Sequence, residues 1–234
     1  MAVLGTILVL LAVMVVHEAG HFVLCLSLGI PVKSLHIGLP IGPQLRLRLG
    51  KYPFTISLAL FGAAVMIDDE ALWRAPLWKR ILVFLAGPGA NFLSVAVAGA
   101  IVSRSPAGFV GGLALVGFTA ALLIKLAFAV AGGTVSFAQL ASQTVGPVGI
   151  VALGSKMVSS GAADLFGLFT LVSTWLGLFN LLPIPGLDGG QVAANILVSL
   201  GLPRRWAMIA TYISLGFLLV FMFVITARDV TRLF

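Results

Sequence analysis

The chain has 234 residues, 60% of them hydrophobic and only 9% charged, with a mean hydropathy of +1.17. A soluble domain carries about 25% charged residues, so the composition excludes an ordinary soluble fold and points to a membrane protein built as one compact bundle over residues 1–234. The net charge of +7 does not signal nucleic acid, because the basic residues lie in loops between apolar stretches rather than in one stripe with interleaved aromatics, and the single Cys25 rules out an internal disulfide.

Residues 3–28 form the first expected span. Apart from His17, Glu18 and His21, the stretch Met1 to Ile30 carries no charged side chain, and about 20 apolar residues suffice to cross a bilayer. Lacking a basic n-region and carrying this motif, it does not read as a removable signal peptide. An ionisable group at bilayer depth costs at least about 2.5–3.5 kcal/mol, so the cluster is a functional hypothesis. On a helix, His17 and His21 are four apart and share a face, so both imidazoles can bind one zinc ion. Glu18 stands beside them, placed to take a proton from a zinc-bound water.

The next stretch, 44–66, reads as a β-hairpin. Gln44 to Leu49 alternates polar and apolar residues, Gly50-Lys51 is a turn, and Tyr52 to Leu60 is rich in β-formers. At membrane depth such a hairpin must hide its backbone groups against helices or line a wet cavity. A free edge along 52–60, at Ser57 or Ala59, can pair with an extended peptide by strand addition; the alternative is a hairpin that only packs. Lone His36 reads as structural. Trp73 and Trp78, flanked by Arg74 and Lys79, read as interface anchors.

Further spans are expected at 81–103, 165–182 and 207–226. Nine of the fourteen Lys and Arg residues (Lys33, Arg46, Arg48, Lys51, Arg74, Lys79, Arg80, Arg204 and Arg205) then share one side, expected to be the cytoplasm, with both termini opposite. Residues 145–158 are too short to cross. Residues 108–131 are apolar enough, but a single crossing there would separate Asp188 from the histidines, so they are expected to lie along the outer interface. The expected fold is a membrane all-α bundle of about four transmembrane helices, with a membrane-reentrant β-hairpin and an interfacial helix.

A catalytic zinc usually has three protein ligands and an open position. Of the seven acidic residues, Asp68, Asp69 and Glu70 read as a solvated run, while Asp164 and Asp229 read as interfacial. Asp188 stands apart, in Asn180-Leu181-Leu182-Pro183-Ile184-Pro185-Gly186-Leu187-Asp188-Gly189-Gly190. Prolines end the helix there and glycines permit an irregular turn. Asp188 is the candidate third ligand; the alternative is a helix N-cap. Asn91, inside a span, is an amide that needs partners, whether for helix packing or for function.

The motif at 17–21, Gly87-Pro88 with Asn91, Gly146-Pro147-Val148-Gly149 and Asn180 through Gly190 together resemble the site-2 proteases, zinc intramembrane metalloproteases, in the bacterial branch that performs regulated intramembrane proteolysis. The resemblance implies His17, His21 and Asp188 as zinc ligands and Glu18 as general base. It implies Asn91 and Asn180 as contacts to the substrate backbone or the developing oxyanion, and 44–66 as a reentrant hairpin that clamps substrate. It implies single-span transmembrane substrates, such as anti-sigma factors or remnant signal peptides; the lipid bilayer is the other expected partner, and nucleic acid is not one. The interval 104–143 is too short for the PDZ domains usual in that branch, and Phe61-Gly62-Ala63 replaces a more usual Gly-Gly pair. The competing readings are a zinc transporter, which leaves Glu18 without a role, and a non-catalytic scaffold, against which the intact motif argues.

Overall fold

A computed structural model of the chain describes residues 2–38, 42–57, 62–136, 146–158 and 162–233. The first helix, α1 (Ala2–Ser27), ends at Gly29, whose φ of 71° admits the left-handed turn that starts the sheet. Four strands follow: β1 (Val32–Ile37), β2 (Gln44–Leu49), β3 (Tyr52–Ser57) and β4 (Ala63–Ile67). Then come α2 (Asp69–Arg74), α3 (Leu77–Ser103), α4 (Pro106–Ala131), α5 (Pro147–Met157), α6 (Ala162–Asn180), α7 (Asp188–Ser199) and α8 (Arg204–Leu233).

Among the described residues, four helices are long and apolar enough to cross a membrane: α1, α3, α4 and α8. The chain is thus a mostly helical, multi-pass membrane protein with a small sheet. The expected span 165–182 falls on α6, a shorter apolar helix that stops at Asn180 ahead of Pro183 and Pro185.

Residues 108–131, expected along the outer interface, form one continuous apolar helix. They lie in α4, which runs antiparallel along α3: Gly108 meets the Gly99 carbonyl, and a Cβ on Gly112 would stand 2.7 Å from Ala96 Cα. Small residues let the two backbones touch, as membrane helix pairs do. By length and composition α4 is also able to cross a membrane.

The hairpin at 44–57 is present as β2 and β3, turned at Gly50 with φ 62°, but it is half of a larger sheet. Strand order is β2-β3-β1-β4, with β3 parallel to β1 and β4 antiparallel to β1. The free edge expected along 52–60 is therefore not found over its described part, 52–57. β3 is interior, and Ser57, 1% exposed, pairs with Gln44; Ala59 lies outside the described residues. Among the described residues the free edges are β2 and β4. Leu35 pairs with Phe54 on one side and Val65 on the other, and such nonlocal pairing leaves no mark in a local alternating pattern.

Two clusters anchor the bundle. Cys25, Ile30, Val32, Leu72 and Val83 pack where α1 meets the sheet and α3, and Val9, Val13 and Leu168 pack between α1 and α6. Asp68 caps α2 by accepting from Ala71 N (3.0 Å), which holds its carboxyl below the usual carboxylate range. Asp229, expected near a span end, lies in the last turns of α8. It is 4% exposed and accepts from Gly149 N at 2.8 Å, so it caps α5 from α8 and gives the Gly-Pro-Val-Gly segment a tertiary anchor.

Candidate metal centre

His17 and His21 sit one turn apart on the α1 face that packs against α3. The helices touch at Gly20, where a Cβ would collide with the Ala86 carbonyl and stand 2.7 Å from Ala90 Cβ. That approach brings Gly87 beneath the imidazoles: its Cβ would lie 2.6 Å from His17 Nε2 and closer still to His21 Nε2. The absent side chain leaves a space bounded by two ring nitrogens.

Asp188 reaches the same space from α7. After α6 ends, Gly186 adopts φ 98°. Gly189 then lies on the Leu181 and Leu182 carbonyls and Gly190 on Ile184, with no room for a Cβ at either. This nesting pulls the first turn of α7 into the bundle. Leu187, not Asp188, is the cap residue, and it makes no side-chain cap bond, so the N-cap alternative for Asp188 is not realised. Asp188 Oδ2 instead lies 3.0 Å from His17 Nε2 and 3.4 Å from His21 Nε2, and the two Nε2 atoms are 3.3 Å apart.

The remaining hydrogen bonds fix what these atoms can do. His21 Nδ1 is 2.7 Å from the Val83 carbonyl. A carbonyl only accepts, so Nδ1 carries the proton and Nε2 presents a lone pair. Fully buried Asn91 places one amide atom 3.2 Å from His17 Nδ1, while its Oδ1 has no hydrogen-bond partner. The two amide atoms exchange by a half-turn. With Oδ1 turned to His17 it accepts from Nδ1–H and frees that Nε2 as well.

In that state two lone pairs converge with the Asp188 carboxylate oxygen, a donor set suited to a metal cation. Zinc bonds of about 2.0–2.1 Å at a tetrahedral angle put neighbouring ligand atoms about 3.3 Å apart, which matches all three separations. His17, His21 and Asp188 are the three-ligand metal group among the described residues.

Glu18 is half-buried, within electrostatic reach of both histidines and Asp188. Its Oε2 accepts from Val65 N at 2.9 Å. In the β1–β4 ladder Gly38 N donates to Gly62 O, and antiparallel alternation then turns Ala63, Val65 and Ile67 outward. The β4 edge therefore faces the metal centre. Val65, Val83 and Gly87 were missed as site residues; Gly87 stood out as a Gly-Pro motif, but backbone donors and cavity walls have no sequence signature. Asn180 is not drawn to the histidines by its amide, which donates to Leu176 O one turn back at 3.0 Å. His36 pairs with Ser34 at 2.8 Å within β1.

A model of the Peptidase family M50 matches residues 5–221, a range that contains every residue of this centre. The chain is 37% identical over 92 residues to the "Regulator of sigma-W protease RasP" of Bacillus subtilis and 35% over 92 residues to a "Putative zinc metalloprotease" of Streptococcus pneumoniae. It is 36% identical over 93 residues to the "Probable protease eep" of Enterococcus faecalis. Each match covers 38% of this chain and 22% of the relative's length. Since the family match runs through both the helix that carries the histidines and the turn that delivers the aspartate, the chain belongs to peptidase family M50.

Proposed function

We propose that the protein is a zinc-dependent intramembrane endopeptidase that hydrolyses peptide bonds within or near the transmembrane segments of single-span proteins. The observation that carries this reading is the convergence of His17, His21 and Asp188 at 3.0–3.4 Å beside Glu18, on helices apolar enough to lie in a membrane. A zinc transporter would use the same ligands, but it gives no reason for a carboxylate held at an open strand edge. The relative named for regulating sigma-W suggests membrane-bound anti-sigma factors as one substrate class; remnant signal peptides are another. The test is cleavage of a single-span peptide by the purified protein, with and without a zinc chelator. Loss of cleavage on chelation and return on adding zinc support the reading; cleavage indifferent to chelation refutes it.

His17, His21 and Asp188 would hold the zinc, with Val83 O and Asn91 fixing the imidazoles. Zinc supplies an acidified water and polarises the scissile carbonyl. Glu18 accepts the water's proton and delivers it to the leaving amine. Asn91 and Asn180 are placed by the reading near the substrate backbone or oxyanion. The substrate must be extended at the cut, and the outward β4 edge offers Ala63 and Ile67 as backbone partners that offset the helical hydrogen bonds lost in unwinding. In this reading the clamping edge is β4, not residues 52–60.

Lys79 Nζ donates to Leu28 O at the end of α1, which lies seven residues, or about 10 Å, beyond His21. With the basic loops cytoplasmic, the centre sits near the cytoplasmic side and both termini lie outside.

Two outcomes follow. Asp188→Asn should lower zinc affinity at least tenfold and turnover with it, because a neutral amide is a poorer ligand, while Asp164→Asn leaves both unchanged; metal titration of the two variants checks this. Ala63→Pro should remove an outward β4 donor and cut turnover of a helical substrate about tenfold with zinc content intact. Arg46→Pro, on the opposite free edge of the sheet, should have little effect. Equal losses from the two prolines would remove β4 as the clamp.

A further inference from the structure

One end of the bundle holds a group of side chains that the metal centre does not use. The Trp73 indole on α2 has two guanidinium groups on it: Arg80 of α3 with Cζ 5.0 Å from the ring centroid, and Arg204 of α8 at 4.7 Å. Sharing one ring, the two cations are no further apart than those two distances combined. Neither forms an ion pair among the described residues, whose ion pairs engage Asp188, Asp68 and Glu70 with other partners. Arg80 donates one Nη1 bond to the neutral Asn195 Oδ1 at 3.0 Å. The Nε atoms of Arg80 and Arg204 are both buried without a hydrogen-bond partner. Two adjacent half-buried cations with unmet donors and no carboxylate are an incomplete arrangement, since buried charge is ordinarily paired.

The missing partner is an anion with several acceptor oxygens, which the guanidinium fork suits best as phosphate. Depth identifies the source. Arg80 lies in the first turn of α3 and Arg204 is the first residue of α8, both helices apolar enough to cross a membrane, so the pair stands at headgroup level. Below it, exposed Leu82 and Leu85 on α3 and exposed Met208 and Ile209 on α8 offer apolar surface for acyl chains. We propose that Arg80, Arg204 and Trp73 form a binding site for the phosphate of a net-anionic glycerophospholipid, which completes the junction of α2, α3 and α8. The site also touches the helix that carries Asp188: Asn195, which receives the Arg80 bond, lies on α7, and Gln191 of α7 donates to Thr211 of α8 at 3.1 Å.

The test is native mass spectrometry of the full chain in detergent, titrated separately with phosphatidylglycerol, phosphatidylcholine and inorganic phosphate. The wild-type protein should retain phosphatidylglycerol about tenfold better than phosphatidylcholine, and excess inorganic phosphate should not displace it. Arg204→Gln should abolish that preference, and Arg204→Lys should restore part of it, since the charge returns without the planar fork. Arg205→Gln removes the adjacent cation, which stacks on Trp206 instead, and should leave the preference unchanged. Zinc content reports folding; if Arg204→Gln loses its metal, Trp73→Leu is read in its place and should weaken retention severalfold. Equal loss from Arg204→Gln and Arg205→Gln would reduce the effect to general surface charge and overturn the site. Displacement by inorganic phosphate would overturn the lipid as its occupant.

Discussion

Glu18→Gln is expected to lower turnover by roughly 10²- to 10⁴-fold, the range for removing a general base, while zinc stays bound at one per chain. The amide matches the carboxylate in shape, and its oxygen can still accept from Val65 N, which now lies 2.9 Å from Glu18 Oε2. The β4 edge therefore keeps its contact and the metal ligands keep theirs; only basicity is lost. The measurement is metal content and peptide turnover on the same purified sample. Retained zinc with near-normal turnover would remove Glu18 from the mechanism. Glu70→Gln, on an exposed carboxylate paired with Arg74 at 3.0 Å, should change neither quantity.

The parts of the centre that can be read from the chain are those written in local spacing. Two histidines four apart with an adjacent glutamate specify one helix face, and helical geometry carries that face into three dimensions without further information. Asp188 was legible for a different reason: with only seven acidic residues in so apolar a chain, a carboxylate framed by prolines and glycines is conspicuous. The sheet was legible only where it is local. The β2–β3 turn at Gly50 could be read, but the insertion of β1 between β3 and β4 could not, because it depends on pairing Leu35 with Phe54 and Val65 across tens of residues. That is why the free edge expected along 52–60 falls on a strand that is interior to the sheet. Asp229 and Trp73 taught the same lesson. Each is legible as a residue near a span end, but not its tertiary partner: one caps α5 and the other is covered by two arginines from different helices.

Gly87→Ala is the substitution whose effect runs most directly against local propensity. Alanine stabilises a helix interior over glycine by about 1 kcal/mol, so α3 itself should gain from the change. The added Cβ would nonetheless fall 2.6 Å from His17 Nε2 and nearer to His21 Nε2, in the space where the two lone pairs converge with Asp188. The imidazoles cannot retreat freely: His21 is held by the Val83 carbonyl at 2.7 Å and His17 by Asn91 at 3.2 Å. The new methyl must therefore exclude the ion or break one of these bonds, and disturbing such supports typically costs 10- to 100-fold in metal affinity. Gly87→Ala is expected to purify with little zinc, to need at least tenfold more zinc for half-saturation, and to lose turnover in proportion. Gly89→Ala supplies the control, because its Cβ would meet nothing within 4 Å; it should keep full metal and activity and match or exceed the wild type in thermal stability. If Gly87→Ala bound zinc as tightly as Gly89→Ala, the space above Gly87 would not be where the ion sits, and the assignment of His17 and His21 as ligands through Nε2 would fall with it.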